Sequence, residues 1–293
     1  MSNIWSTYIQ GIETLYSTRS LRFSDFFRDK YQSFFSIEDS EDKKKILEIG
    51  CGPGALSEAL FRWYPNTQIF GIDRDSNFIE FARRKNSHIH FEEGDAASLS
   101  FQDESFDVTI SNTVAEHIEP SQFYSEQYRV LKQNGICLVL SARKGINIEA
   151  PCIAEQSEFE RDIWRRTEKN FAEMIKKYNV CAYPQSEMEM PLLMERHGFK
   201  DVTAEYITVN LTPDNPIYTK EMAYAMINAN KYSDFESADV LLRVAPEVVT
   251  KEEIEELKRQ IDEKYKKRIE LYDRGIKQWD TNVSITMILR GIK

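Results

Sequence analysis

The sequence predicts an α/β protein: a mostly parallel sheet of seven strands, helices on both of its faces, and further helices standing over one edge. Three observations carry this. Between residues 44 and 142 short apolar runs alternate with helical patterns. A glycine-rich turn, Gly50-Cys51-Gly52-Pro53-Gly54, joins the first run to the first of these helices. Two late segments with strand-like alternation, 201–211 and 282–292, flank a long helical stretch. Strands separated by helices pair in parallel through right-handed crossovers, and this puts helices on both faces of the sheet.

Taken in order, residues 1–43 carry two apolar sets at helical spacing: Trp5, Tyr8, Ile9, Ile12, Leu15 and Tyr16, then Phe23, Phe26, Phe27, Tyr31, Phe34 and Phe35. They predict an N-terminal helical cap. KKILEIG (44–50) has the unbroken apolar character of a buried strand, and GALSEALFRWY (54–64) is helical. TQIFGID (67–73) reads as a strand, SNFIEFARRKN (76–86) as a helix, and IHFEEGD (89–95) and FDVTISN (106–112) as strands. PSQFYSEQYRVLKQ (120–133) reads as a helix before the strand GICLVLSA (135–142), with Asn134-Gly135 as its C-cap. Residues 143–195 form a helical lid segment in this reading. DVTAEYITVNL (201–211) is a strand. Residues 219–279 are helical again, with a capping box at Thr250 and Glu253. Ile254, Leu257, Ile261, Tyr265, Ile269, Tyr272, Ile276 and Trp279 mark one face there, and the charges of 251–270 mark its solvated side. The predicted organisation is a cap (1–43), an α/β core (44–211 and 282–293), and a helical insertion (212–281) between the last two strands.

The chain has 293 residues, 29% of them charged and 41% hydrophobic, which suits a soluble protein with a substantial core. Its net charge of −10 argues against general binding of a phosphate backbone, so no nucleic-acid partner is expected. The start MSNIWSTYIQ lacks a basic stretch followed by an apolar block, and no run of about 18 apolar residues exists. Neither a secretory leader nor a membrane partner is expected. Cys51, Cys137, Cys152 and Cys181 form no CxxC pair and read as reduced thiols, so the expected location is cytoplasmic. No metal-ligand spacing is present. Nothing in the sequence specifies an oligomeric state.

The glycine turn raises the functional question. Glycines let the backbone turn sharply and approach a ligand, and the following helix offers free N–H groups. Using Ala55, the turn can be forced into the GxGxxA of dinucleotide sites, where a pyrophosphate sits on the helix. Its surroundings point elsewhere. Glu48, two residues before the first glycine, would repel a pyrophosphate and suits a cationic amino group. Asp73 ends the second strand, where a carboxylate accepts from ribose hydroxyls. Gly94-Asp95-Ala96 follows the third strand and can serve an adenine amino group and ring. Ser111-Asn112 ends the fourth strand and leads to Glu116-His117. The carboxyl ends of consecutive strands are where an open α/β sheet binds its ligand.

At these residues the chain resembles the class I S-adenosylmethionine-dependent methyltransferases, and their small-molecule branch in particular. ILEIGCGPG, GIDRDSNFIEFAR, GDAASLSFQDESFDVTISNTVAEHI and YRVLKQNGICLVL match that family's motifs in order over about residues 44–142. The resemblance implies a Rossmann-like sheet whose seventh strand lies antiparallel between strands five and six. It implies S-adenosyl-L-methionine as cofactor and S-adenosyl-L-homocysteine as product. Glu48 and the backbone of Ile49, Gly50 and Gly52 would hold the methionine part, with Cys51 a backbone contact. Asp73 would take the ribose, with Arg74 beside it. Asp95 and Ala96 would read the adenine, and Asn112 would sit near the sulfonium. The chain departs from the family at Ala115, where relatives carry Leu, and at Lys132-Gln133-Asn134-Gly135, where they carry Lys-Pro-Gly-Gly. Arg19 or Arg22 would reach the cofactor carboxylate if the first helices close over it. His117 is a candidate general base, since imidazole titrates near neutrality, and equally a packing residue or cofactor contact. The aromatics Trp5, Tyr8, Tyr16, Phe23, Trp164, Tyr183 and Tyr224 are candidates for lining an acceptor pocket. The expected activity is methyl transfer to a small organic acceptor at an O, N or C atom. The alternatives are a protein or nucleic-acid methyltransferase, and a non-catalytic or NAD(P)-binding Rossmann protein.

Overall fold

Five parallel strands make the first half of the sheet: β1 (Lys45–Ile49), β2 (Gln68–Asp73), β3 (His90–Glu93), β4 (Phe106–Asn112) and β5 (Leu131–Ala142). The computed structural model describes residues 3–38, 43–142, 148–150 and 156–293. The strand order β3-β2-β1-β4-β5 puts β1 in the middle, as its apolar run requires: Ile46, Leu47 and Ile49 are fully buried. Crossovers run through α3 (Ala55–Trp63), α4 (Ser76–Lys85) and α5 (Pro120–Val130). The chain leaves β1 towards β2 and returns to β4 on its other side. The resulting topological switch point opens a crevice at the carboxyl ends of β1 and β4.

β7 (Lys200–Leu211) and β8 (Thr281–Ile292) complete the sheet. β8 runs antiparallel between β5 and β7, the arrangement that the resemblance implied. Seven strands were expected, and an eighth is present. β6 (Ile148–Ala150) pairs with Thr281–Val283, inside the segment read as purely helical. The pairing of β5 with β8 stops at Ala142–Thr286, which leaves the start of β8 with open backbone groups on that side. β6 takes them up.

Two boundaries also differ from the sequence reading. α5 ends at Val130, and Asn134-Gly135 is no helix cap. Asp107 alone stands opposite Lys132–Gly135, so these residues bulge between the pairs Phe106–Leu131 and Val108–Ile136. Asn134 takes the left-handed conformation at φ 62° to make that bend. The insertion's second helix ends at Asp273, so Ile276 and Trp279 do not continue its apolar face and are exposed.

The N-terminal part forms a single wide turn over Trp5–Ile9, then α1 (Ile12–Arg22) and α2 (Arg28–Phe35). Phe23, Phe27, Tyr31 and Phe35 pack with Ile46, Ile110, Leu140 and Ile288 of the sheet. Phe123 and Tyr124 of α5 cover the other face with Met190 and Met194 of α7 (Glu189–Arg196). A third apolar cluster joins Ile163 of α6 (Glu158–Lys177) with Leu241 of α8 (Lys220–Val244) and with Ile254, Leu257 and Ile261 of α9 (Lys251–Asp273). α9 starts with the capping box of Thr250 and Glu253. The same insertion fixes α1: the Glu236 carboxylate of α8 accepts from the N–H groups of Glu13 (3.0 Å) and Thr14 (2.9 Å). This satisfies free donors at the start of α1 and places an anion there. α1 is thereby held over the crevice.

Candidate functional site

The glycine turn is built by local necessity. Gly50, Gly52 and Gly54 have φ of 67°, 52° and 89°, a region that other residues enter at a cost. A Cβ on Gly50 would run into Val114 Cγ2. A Cβ on Gly52 would lie 3.1 Å from Leu15 Cδ2 of α1. The Cys51 N–H donates to the Ile72 carbonyl (2.8 Å) and the Gly52 N–H to Asp73 Oδ2 (2.9 Å). Asp73 Oδ1 accepts from the Asp75 N–H (2.9 Å), so two backbone donors orient this carboxylate. Burial outweighs those bonds and pushes its pKa up to about 6.

Glu48 is only 2% exposed and accepts a hydrogen bond from the Ser57 hydroxyl of α3. Burial, with the Asp73 charge as a smaller cause, pushes its pKa up to about 8. A buried acid so perturbed, facing a cavity, marks a functional site. Arg19 enters from α1 and donates to Thr113 Oγ1 (3.1 Å). Burial first, and the neighbouring Arg22 second, lower its pKa to about 10.

These groups share one cavity of about 940 Å³ of empty space, part of it open to solvent. Glu48, Gly50, Cys51, Gly52, Asp73, Arg74, Asp95, Ala96, Asn112, His117 and Arg19 all line it. Ile49 does not: its side chain packs with Leu47, Ile72 and Val130 beneath the turn. Cys51 lines the cavity but has already given its N–H to Ile72. Arg74 and Asp95 are exposed, and Asp95 also accepts from the Ala97 N–H (2.9 Å) in its turn.

His117 is held in a way that opposes its use as a base. Its Nδ1 accepts from the Cys181 N–H (2.9 Å), which assigns the ring proton to Nε2. The one lone pair of the neutral ring is therefore occupied. Burial pushes its pKa down to about 4, and Trp5 packs edge-on at 4.7 Å between ring centroids. Of the candidate aromatics, Trp5 and Phe23 line this cavity. Tyr8 stacks on Tyr178, Tyr16 donates to Glu58, Trp164 packs in the α6–α8–α9 cluster, Tyr224 donates to Asp273, and Tyr183 is exposed. Cys152 lies outside the described residues. The sequence reading passed over Leu15, Thr113 and Val114. The only signal for the last two was their place just after β4, and Leu15 was read only as part of a helical stripe.

A profile of the family described as "Methyltransferase domain" matches residues 47–139. Residues 47–139 are a methyltransferase domain. Over 122 residues the chain is 34% identical to a fatty-acid O-methyltransferase of Mycolicibacterium smegmatis, covering 40% of this chain and 44% of that protein. It is 32% identical over 140 residues to phthiotriol/phenolphthiotriol dimycocerosates methyltransferase 1 of Mycobacterium ulcerans, covering 43% and 51%. The match thus spans about half the length of these curated relatives or less. Among solved structures, a Haemonchus contortus phosphoethanolamine N-methyltransferase 2 superposes with a TM-score of 0.50 at 16% identity, over 99% of this chain and 56% of that one. At that identity the superposition establishes a shared fold around the methyltransferase domain.

Proposed function

We infer that the protein binds S-adenosylmethionine in this cavity and transfers its methyl group to a small organic acceptor. One observation carries the reading: a buried acid and a partly buried guanidinium, Glu48 and Arg19, line the same cavity as the glycine turn. An amino-acid moiety has an ammonium for the first and a carboxylate for the second. A pyrophosphate in that place would meet Glu48. Asp73 keeps lone pairs for two ribose hydroxyls, and the turn at Asp95 and Ala96 stands beyond it for the adenine.

When bound, S-adenosylmethionine supplies an electrophilic methyl group on sulfur. The chain contributes orientation and exclusion of water. Leu15, Trp5 and Phe23 cover the cavity from the N-terminal side, and Asn112 and Thr113 close the β4 end. In this reading residues 1–43 and the insertion 212–281 act together as the cap over the core. With His117 Nδ1 engaged, the acceptor brings its own free electron pair. The net charge of −10 favours a small acceptor over nucleic acid. Among the described residues no helix is long and apolar enough to cross a membrane. A cytoplasmic setting fits the scattered thiols.

Calorimetric titration with S-adenosylhomocysteine, NAD and NADP tests the cofactor. Binding of S-adenosylhomocysteine alone is expected. Heat only from a dinucleotide would replace methyl transfer with hydride transfer. Asp73→Ala is expected to weaken S-adenosylhomocysteine by about 1–3 kcal/mol, the scale of hydrogen bonds to a charged group. An unchanged affinity would put the ribose elsewhere.

A further inference from the structure

Ile276 and Trp279 continue the apolar spacing of α9 in the sequence, yet that helix ends at Asp273 and both side chains are left outside. Trp279 is 51% exposed and Ile276 40%. Gly275 has φ 71°, and a Cβ on it would meet nothing within 4 Å, so the turn stands clear of the body of the protein. This exposure is built in. Trp279 has φ 56°, a left-handed conformation that a bulky residue adopts only under strain. Asp214 Oδ2 accepts from the N–H groups of Gln278 (2.7 Å) and Trp279 (2.9 Å) and from Arg268 Nη2 (2.9 Å). Arg268 Nε donates to Asp280 Oδ1 (3.0 Å), and Arg268 and Asp214 are both buried. A buried ionic network thus grips the chain on both sides of Trp279 while the indole stays half in water. An exposed tryptophan forgoes the burial of a large apolar surface. One held out by a strained and anchored turn marks a contact surface.

The charges around the turn say what it contacts. Its acids are already taken up: Asp273 by Lys220 (2.7 Å), Asp214 and Asp280 by Arg268. Arg274 and Lys277 are exposed and have no ion-pair partner among the described residues. Lys277 Nζ lies 4.9 Å from the centroid of the Trp279 ring instead. The turn therefore joins a tryptophan and an isoleucine to two uncompensated cations. That combination suits the headgroup level of an anionic lipid surface, where an indole occupies the interface and Lys and Arg meet phosphates. It is too small for a stable protein interface, which takes about 800 Å² from each partner. The net charge of −10 opposes such a surface only at a distance. At physiological salt charges act over about 8 Å, so the cations of the turn itself decide the contact. We propose that residues 274–279 dock the protein reversibly on an anionic lipid surface, with Ile276 and Trp279 inserted and Arg274 and Lys277 on the phosphates. No membrane partner was expected from a sequence without a spanning run, but docking at the surface needs none. The proposal is independent of the cofactor reading.

The test is co-sedimentation of the whole chain with vesicles of phosphatidylcholine alone and of phosphatidylcholine mixed equally with phosphatidylglycerol. The wild type is expected to bind the mixed vesicles at millimolar lipid, to bind the others about tenfold or more weakly, and to lose that preference in high salt. Trp279→Asn supplies a residue that accepts the left-handed conformation and is expected to lose most of the binding. Arg274→Gln combined with Lys277→Gln is expected to lose the preference for the anionic lipid. Brominated phosphatidylcholine in the mixed vesicles should quench the tryptophan fluorescence of the wild type and leave that of Trp279→Asn, which keeps the other tryptophans, unchanged. The replaced side chains are exposed, so circular dichroism should be the same for all these proteins. Should Trp279→Asn fail to fold, the variant without Arg274 and Lys277 decides alone. No binding by the wild type, equal binding to both kinds of vesicle, or binding without quenching would overturn the proposal. Equal binding by wild type and variants would do the same. So would self-association at rising protein concentration that Trp279→Asn abolishes, by assigning the turn to a second copy of the chain.

Discussion

Glu48→Gln is expected to stabilise the ligand-free protein at pH 8.5 and to weaken S-adenosylhomocysteine by tenfold or more, roughly what one hydrogen bond to a charged group contributes. In the folded chain the Glu48 pKa lies at about 8, against 4.5 for the ordinary glutamate, and burial is the main cause. The folded state therefore holds this proton more tightly than the unfolded state does. Its stabilising contribution is complete below pH 4.5 and is lost as the pH rises through 8. Gln keeps the shape and needs no proton. Wild type and variant should melt alike near pH 4 and diverge by on the order of 2–4 kcal/mol at pH 8.5, in favour of the variant. Asp73, raised to about 6 from 3.8, has the same sign and adds a loss in both proteins between those values. Ligand binding reverses the preference, because an ammonium beside Glu48 favours the ionised acid. Titrations at pH 7 in buffers of different ionisation enthalpy should show proton release by the wild type and less by the variant. A wild type whose stability rises from pH 5 to 8, above the variant throughout, would mean that a permanent counter-charge already satisfies Glu48.

What the sequence revealed about this site, and what it hid, follow from how far each signal reaches along the chain. Gly50, Gly52, Asp73 and Asp95 stand at strand ends, where backbone geometry and ligand chemistry both act on single positions. These residues were legible, and all line the cavity. Val114 under Gly50 and Leu15 over Gly52 are contacts between separate elements, and nothing in their local sequence announces them. The His117 tautomer depends on the Cys181 N–H, 64 residues away, so residue type alone suggested a base where the geometry makes a donor. Helical spacing predicted α1 and brought both arginines forward together. Only the packed structure separates Arg19, on Thr113 and the cavity, from Arg22. In the sheet, alternation and apolar runs found the other seven strands. β6 escaped because its reason for existing is the unpaired start of β8, more than 130 residues further along. The bulge at Lys132–Gly135 escaped because Asn-Gly suits a helix end as well as a bend.

Gly52→Val should abolish S-adenosylhomocysteine binding while the sheet stays folded. Three effects coincide at this position. Valine is β-branched, and φ of 52° is strained for it, at a cost of about 1–3 kcal/mol. Its Cβ would sit 3.1 Å from Leu15 Cδ2, and its methyl groups would reach further into α1. The backbone N–H of residue 52 also orients the Asp73 carboxylate, so any shift of the turn to relieve the strain disturbs the ribose site. Polar bonds to Glu236, Thr113 and Glu58 and the buried Leu21 hold α1, and the strained turn pushes against it at Leu15. The expected outcome is an outward displacement of α1, with loss of Arg19 from the cavity. Limited trypsin digestion should then cut within residues 12–30 faster than in the wild type, while far-ultraviolet circular dichroism stays the same. Retained affinity with an unchanged digestion pattern would separate the glycine turn from the ligand and from α1 together. Faster digestion with retained affinity would leave the turn as only a support for α1, and the ligand would then be held by Glu48 and Asp73 without the closed N-terminal helix.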